Sequence, residues 1–284
     1  MRNESAHVEE LIRTVSSQTV RPAAWILVDG NSTDGCYEQA KQIARQYDWI
    51  YVIRQTEFYG KGYSHQNFAL GVNDGCRYGL DLFPGGGGIR FIGKIDATVE
   101  LDQDFLENML TVLEGDETLA FVCGHELEEI DGNGKGLVND PFVDFNDIRL
   151  YRRDFLEPLG FYPISFSPDA VLIVKARSKD MNAKVCLDAT FYDKRPGATK
   201  IGAWKGYMLK GEALWGLGYH PLIILIDVLY FGIQRSPHYH AAVVMFGYLR
   251  GFINKVERIE DPEVIEYFWK LRLRDAMDAH LKKA

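Results

Sequence analysis

The chain has little cysteine: four in 284 residues, at positions 36, 76, 123 and 186, with no C-x-x-C pair. That spacing supports neither a disulfide framework nor a zinc site, and it points to a reducing compartment. A long hydrophobic run is also missing. A bilayer-spanning helix needs about 20 apolar residues. The nearest approach, Pro221 to Phe231, is short, opens on a proline and contains Asp227. It reads either as a buried or dimer-contact helix or as a helix lying on a membrane surface. Positive charge is in deficit, with 32 Lys and Arg against 40 Asp and Glu. A net charge of −8 argues against a nucleic-acid partner. Met1-Arg2-Asn3-Glu4 is polar and shows no secretory pattern, so a cytoplasmic protein is expected. Gly85–Gly88 is followed by no Lys-Ser/Thr and is no phosphate loop. A G-x-S-x-G elbow is absent, which leaves a serine hydrolase unsupported. His238 and His240 have no flanking carboxylate cluster, so a metal there is not expected.

What is present is an apolar, aromatic-rich chain, 46% hydrophobic, able to bury a substantial core. Val8, Leu11, Ile12 and Val15 recur at helical spacing after Ser5, a candidate N-cap. Strands are predicted at 24–29, 50–53, 89–95 and 119–123. Helices are predicted from Asp34 or Gly35 to Tyr47, over 63–78, over 103–113 and from Pro168. Such alternation implies an α/β fold with a mostly parallel sheet flanked by helices. Residues 125–148 read as irregular. From about 203 the pattern becomes helical and aromatic, which predicts a domain over 1–202 and a helical C-terminal extension over 203–284.

Two predicted strands end in carboxylates, Asp29 and Asp96. In open α/β sheets ligands bind beyond the carboxyl ends of strands. A carboxylate placed there is either a solvated strand end or a ligand contact. Asp34, five residues past Asp29, suits a helix cap worth about 1 kcal/mol.

Several stretches, taken in order, resemble the inverting family 2 glycosyltransferases, members of the nucleotide-diphospho-sugar transferase superfamily with the GT-A fold. "ILVDGNSTDG" (26–35) is similar to their nucleotide-binding V-D-D-G-S-T-D-G segment. "GKGYSHQNFALG" (60–71) resembles G-K-G-x-x-x-x-N-x-G, and "KIDATVELDQDFLENML" (94–110) resembles the D-x-D segment with its helix. "LYRRDFLEPLGFYP" (150–163) resembles the acceptor-side stretch. "SPDAVLIVKARSKDMNAKV" (167–185) resembles the segment with the catalytic base, and "FYDKRPG" (191–197) the basic segment after it.

The resemblance implies a GT-A-like, Rossmann-type domain that transfers a sugar from a nucleotide-diphospho-sugar with inversion. Asp29, Asn31, Lys61, Asp96 and Arg195 would bind the donor, and Arg152 and Arg153 would face the acceptor. Asp169 would be the general base that deprotonates the attacking hydroxyl; the same position suits a helix-capping carboxylate. Asp96 and position 98 would hold Mg²⁺ or Mn²⁺ on the diphosphate, since hard cations take oxygen ligands. Here Thr98 replaces the usual second aspartate, a poorer ligand, which leaves Asp96, water or Glu100 to compensate. Asp193 stands where many relatives carry histidine. The acceptor would be a saccharide or a polyprenyl phosphate. The extension would dock on the inner face of the cell membrane or form a homodimer. Relatives begin with a buried central strand that this sequence lacks before Met1, so that first strand is expected to be missing and Met1 to lie downstream of the natural start. Thr98 and that missing strand leave a second reading open: a nucleotide-sugar-binding protein with reduced or no transferase activity.

Overall fold

The computed structural model describes residues 1–58, 65–130, 134–137, 148–194, 203–234, 239–272 and 274, of which 128–130, 134–137, 203, 227 and 229–234 are described by backbone alone. The chain divides into two compact units, Met1–Ile164 with Lys179–Lys194, and Ser165–Ser178 with Arg195–Ala284.

The first unit opens with α1 (Val8–Ser16), whose apolar residues at helical spacing are all buried. His7, not Ser5, sits at its N-cap position, and the Ser5 amide instead donates to Asp34 Oδ2 at 2.9 Å. Then follow β1 (Trp25–Asp29), α2 (Cys36–Ala44), β2 (Ile50–Arg54) and α3 (His65–Asp81). The chain continues through β3 (Phe91–Lys94), β4 (Val99–Leu101), α4 (Phe105–Gly115), β5 (Leu119–Ile130) and β6 (Gly134–Leu137). Between α3 and β3, Gly85 to Gly88 all take positive φ in a tight turn, which side chains would resist. The segment read as irregular therefore begins as a long strand and a hairpin. The segment leading into the second unit holds β7 (Arg149–Arg152) and the single turn α5 (Arg153–Leu156). The core joins α1 to α2, α4 and the strand interiors through residues such as Ile12, Leu27, Phe105 and Leu113.

The strands form two sheets. β1 and β2 pair in parallel, from Trp25↔Ile50 to Asp29↔Arg54. With α6 (Pro168–Ser178) counted in chain order, β8 (Asn182–Asp193) completes the second sheet, ordered β3-β7-β5-β8-β4, with β6 on β5. In it only β5 and β8 are parallel; β3–β7, β5–β7, β4–β8 and β5–β6 are antiparallel. The α/β architecture with a helix-flanked sheet holds, but strand direction is mixed rather than mostly parallel. Helical alternation dictates parallel pairing only for strands joined by a crossover, as β1, α2 and β2 are. β4 follows β3 after a short turn and pairs across the sheet instead. Among the described residues no strand pairs with both sheets. Met1 lies along β1, its ammonium donating to the Val28 carbonyl at 2.8 Å and its carbonyl accepting from the Gly30 amide at 2.8 Å.

The second unit gathers α6 with α7 (Ala203–Gly216), α8 (Pro221–Gln234), α9 (Tyr239–Ile253) and α10 (Pro262–Glu266). Val171 and Val174 of α6 pack on Leu217, Val264, Tyr267 and Phe268. Lys175 bridges Asp261 at 2.6 Å and Glu263 at 2.8 Å. The division in space therefore falls differently from the compositional boundary at 202/203: Ser165–Ser178 joins the C-terminal helices, through contacts some ninety positions away in sequence. α7 and α9 cross backbone to backbone. A Cβ on Gly211 would stand 2.1 Å from the Val244 carbonyl, and one on Gly247 2.1 Å from that of Met208.

Candidate functional site

Asp29 ends β1 and is 1% exposed. The period-2 burial of the strand turns it inward, where its Oδ2 accepts the Ser32 amide at 3.2 Å. Its Oδ1 is buried with no hydrogen-bond partner. A buried, unmatched carboxylate oxygen costs on the order of 1–3 kcal/mol, so it persists where something else, here a candidate ligand donor, meets it. The loop after it is braced. Asn31 takes φ +64°, which asparagine tolerates. Asn3 Oδ1 accepts the Thr33 amide at 2.8 Å. The Asp34 carboxylate accepts the Ser5 and Cys36 amides, and these bonds, Ser5 first, hold its pKa below the usual range. Asp34 is thus a structural carboxylate, but not the expected N-cap: that position falls to Gly35, and α2 has no side-chain cap bond.

Asp96 follows β3 and pairs with Lys94 at 2.9 Å. Lys94 is buried beneath it, its ammonium 4.7 Å from the Phe68 ring. Sequence reasoning passed over Lys94. The signal was its spacing: two positions apart in extended chain places both side chains on one face. Burial lowers the pKa of the Met1 ammonium, while the charges of Cys36, Asp29, Asp96 and Glu4 act to raise it. The Met1 ammonium is thus within electrostatic reach of both Asp29 and Asp96.

Thr98 is 2% exposed and donates from Oγ1 to Asp193 Oδ1 at 2.7 Å. The antiparallel pairing of β4 with β8 sets this contact, Val99 opposing Asp193 and the Lys194 amide donating to the Thr98 carbonyl at 3.0 Å. A carboxylate, that of Asp193, therefore stands against position 98. Lys194 pairs with Glu10 and lies 3.6 Å from Glu100. The hydrogen bond to Lys194 is the main reason the Glu10 pKa is lowered. His7, Leu11, Ala97 and Lys194 wall a narrow crevice at Thr98.

The two arginines are engaged with protein. Arg152 donates to the Leu119 carbonyl at 2.8 Å and to those of Asp116 and Leu113, closing the C-terminal end of α4. Arg153 grips Glu157 with two nitrogens, at 2.8 and 3.3 Å, and donates to the Gly86 carbonyl at 3.1 Å. Lys61 and Arg195 lie outside the described residues. Asp169, half-buried in the first turn of α6, belongs to the second unit, whereas Asp29, Asp96 and Thr98 belong to the first. A further contact had no sequence signal: the buried Asn73 amide exchanges two hydrogen bonds with the Tyr162 backbone, at 2.8 and 2.9 Å, tying α3 to the loop after α5.

The sequence profile of the family described as Glycosyl transferase family 2 matches residues 1–167. The chain belongs to that family. The match covers the strand tips at Asp29 and Asp96 and stops just short of Asp169. In fold, this family 2 glycosyl transferase is similar to mannosyltransferase PcManGT from Pyrobaculum calidifontis, solved with GDP-Man and Mn²⁺. The TM-score is 0.55 at 16% identity, over 100% of this chain and 79% of that one. It is also similar to S. aureus TarS 1–349 in complex with UDP, with a TM-score of 0.50 at 13% identity, over 75% of this chain and 63% of that one. No curated protein sequence matches it.

Proposed function

We propose that this glycosyl transferase moves a hexosyl group from a nucleotide-diphospho-sugar to an acceptor, with inversion at the anomeric carbon. The observation behind this reading is Asp29: a buried strand-tip carboxylate with one unmatched oxygen. A base or ribose donor would satisfy it, with Asn31 beside it on the loop. Asp96 takes the ribose or the diphosphate side of the donor. Lys61 and Arg195 are the proposed phosphate cations, Arg195 through its bidentate fork.

A divalent cation fits the donor set in a limited way. Among the described residues no group of three or more His, Cys, Asp or Glu gathers for a metal. Mg²⁺, however, is commonly held by one or two carboxylates together with substrate phosphates. Asp96, and Thr98 with its partner Asp193, are the oxygens that would hold Mg²⁺ or Mn²⁺ here. When bound, the ion would offset charge growing on the leaving diphosphate.

Asp169 is the proposed general base, taking the proton of the acceptor hydroxyl as that oxygen attacks from the face opposite the nucleotide. No covalent intermediate is needed. Both arginines already spend donors on protein, Arg152 on three main-chain carbonyls and Arg153 on Glu157 and the Gly86 carbonyl, so either would have to release a partner to face the acceptor. The acceptor is a saccharide or a polyprenyl phosphate. A second reading, donor binding without transfer, draws on the neutral Thr98 and on the lysine that already occupies Asp96.

Thermal shift with UDP- and GDP-sugars, in Mn²⁺ and in EDTA, tests donor binding, since a ligand of the folded state raises apparent stability. GDP-Man, and UDP as a nucleotide control, are the first to try, being the ligands of the two similar structures. A stabilising donor whose shift vanishes in Asp29→Asn is the expected result, and no shift with any sugar nucleotide defeats the proposal. Transfer lost about 10²–10⁴-fold in Asp169→Asn, with donor binding kept, identifies the base. Wild type that binds donor but glycosylates nothing leaves the binding-only reading standing.

A further inference from the structure

The helices of the second unit are apolar on two faces. In α8, Ile223 and Ile224 are buried, while Leu222, Leu225 and Ile226 point out at i, i+3 and i+4 spacing. In α9, Val243, Gly247, Tyr248 and Gly251 face inward, while Phe246, Leu249, Phe252 and Ile253 face solvent along one stripe. These seven outward side chains are between 45% and 72% exposed. Trp204 and Tyr239, at the starts of α7 and α9, are exposed too and stack 6.3 Å apart. α9 packs on both α7 and α8, so the outward stripes sit on neighbouring helices. A surface helix ordinarily turns charge to water. Exposed apolar area on this scale marks a binding face.

Charge selects the occupant. The chain as a whole carries −8, yet residues 203–255 hold Lys205, Lys210, Arg235, Arg250 and Lys255 against only Glu212 and Asp227. A second copy of this face would bring the same positive charge against itself, which opposes a symmetric dimer. An anionic lipid surface answers both features: hydrocarbon for the Leu and Phe stripes, and phosphate for the lysines, Arg250 being paired with Glu212 at 3.2 Å. Stacked Trp and Tyr suit the headgroup level. α8 has 14 residues, about 21 Å against a hydrocarbon core of about 30 Å. No described helix is long and apolar enough to cross a membrane.

We infer that α7, α8 and α9 form a monotopic docking face for an anionic lipid bilayer, entered by Phe246, Leu249, Phe252 and Ile253 with Lys205 and Lys255 at its margin. This goes beyond the transfer reaction and stands or falls without it, because its test contains no sugar nucleotide. If the reaction is also as proposed, a lipid-linked acceptor would reach the enzyme by diffusion in two dimensions.

The full chain is floated with vesicles of phosphatidylcholine containing phosphatidylglycerol, and with phosphatidylcholine alone. Co-flotation with the anionic vesicles, weakened by high salt, is expected, with a blue shift in tryptophan emission. The double variant Phe252→Ser with Ile253→Ser changes only exposed side chains, so its circular dichroism and melting temperature should match wild type while its lipid partitioning falls at least about tenfold. Lys205→Glu with Lys255→Glu should lower partitioning to anionic vesicles and leave neutral ones unchanged. Wild type that stays at the bottom of the gradient overturns the inference. So does a dimer in sedimentation equilibrium that the Phe252→Ser, Ile253→Ser variant dissociates.

Discussion

The two units handle awkward groups in opposite ways. The first unit buries charge: Asp29, Lys94 and Arg149 are all under 10% exposed, at or near strand ends. The second exposes hydrocarbon: Phe252 and Ile253 stand well out from α9. Both choices cost stability, since buried charge loses hydration and exposed hydrocarbon forgoes burial. The buried charges sit where an α/β sheet receives a ligand, and the exposed hydrocarbon sits on helices too short to cross a bilayer. What differs is the expected partner, a small polyanion in one case and an extended surface in the other.

The comparison breaks most readily at the α7–α9 crossing. Gly247→Ala puts a methyl 2.1 Å from the Met208 carbonyl, where backbone must move. A loss of about 3 kcal/mol is expected, read as a lower or split thermal transition, with the first unit's melting unchanged. If Gly247→Ala melts like wild type, the helices are not packed backbone to backbone and their outward stripes are not fixed.

The next largest effect belongs to Thr98→Asp. By resemblance this restores the usual carboxylate, yet the fold places it in contact with Asp193, 2.7 Å from the Thr98 hydroxyl. The expected result is a loss of roughly 2 kcal/mol at neutral pH, smaller in acid, and regained in Thr98→Asp with Asp193→Asn. Denaturant melts of the three variants form a double-mutant cycle, and strict additivity would refute the pairing.

Asp29→Asn sharpens the contrast from the other side. Asn keeps the acceptor for the Ser32 amide and removes a buried charge with an unmatched oxygen. Stability should change by less than about 1 kcal/mol while donor binding disappears. A large loss of stability with binding intact would make Asp29 a structural residue.

The smallest effect is the pH response of the second unit. The Lys175 and Ser178 hydrogen bonds hold the Glu263 carboxyl below its ordinary 4.5. Asp261 and Glu263 raise the Lys175 pKa despite its partial burial. A depressed carboxyl stabilises above its unfolded value and loses that contribution as pH falls through the folded one. Glu263→Gln should therefore flatten the acid limb below about pH 4.5 by a small amount, because the glutamate is exposed. An unchanged limb would remove this pair from the forces holding α6 to α10.

Much of the first unit could be read in advance. β1 was legible because apolar residues from Trp25 to Val28 run into Asp-Gly-Asn, and α1 because its apolar residues recur at helical spacing. Asp29 and Asp96 were legible as strand-tip carboxylates. Lys94 was missed although its spacing from Asp96 was in plain view. Arg152 was read as facing an acceptor because nothing local reveals that three carbonyls from α4 and β5 would take its donors. Within the expected helix-flanked sheet, the mixed strand direction was illegible for the same reason: helix–strand alternation says which elements exist, while β4 chose β8 as its partner from ninety positions away.

By itself the sequence determined many of the elements and the carboxylates at strand ends, because these follow from periodicity and turn chemistry within a few residues of each position, while the family was legible in the order of its motifs. Only the tertiary structure decided that Thr98 answers to Asp193, that Asp169 travels with the C-terminal helices, and that α8 and α9 turn hydrocarbon outward. Those outcomes depend on which surfaces meet. The energy of a contact between residues far apart in the chain leaves no trace in the local pattern of either one.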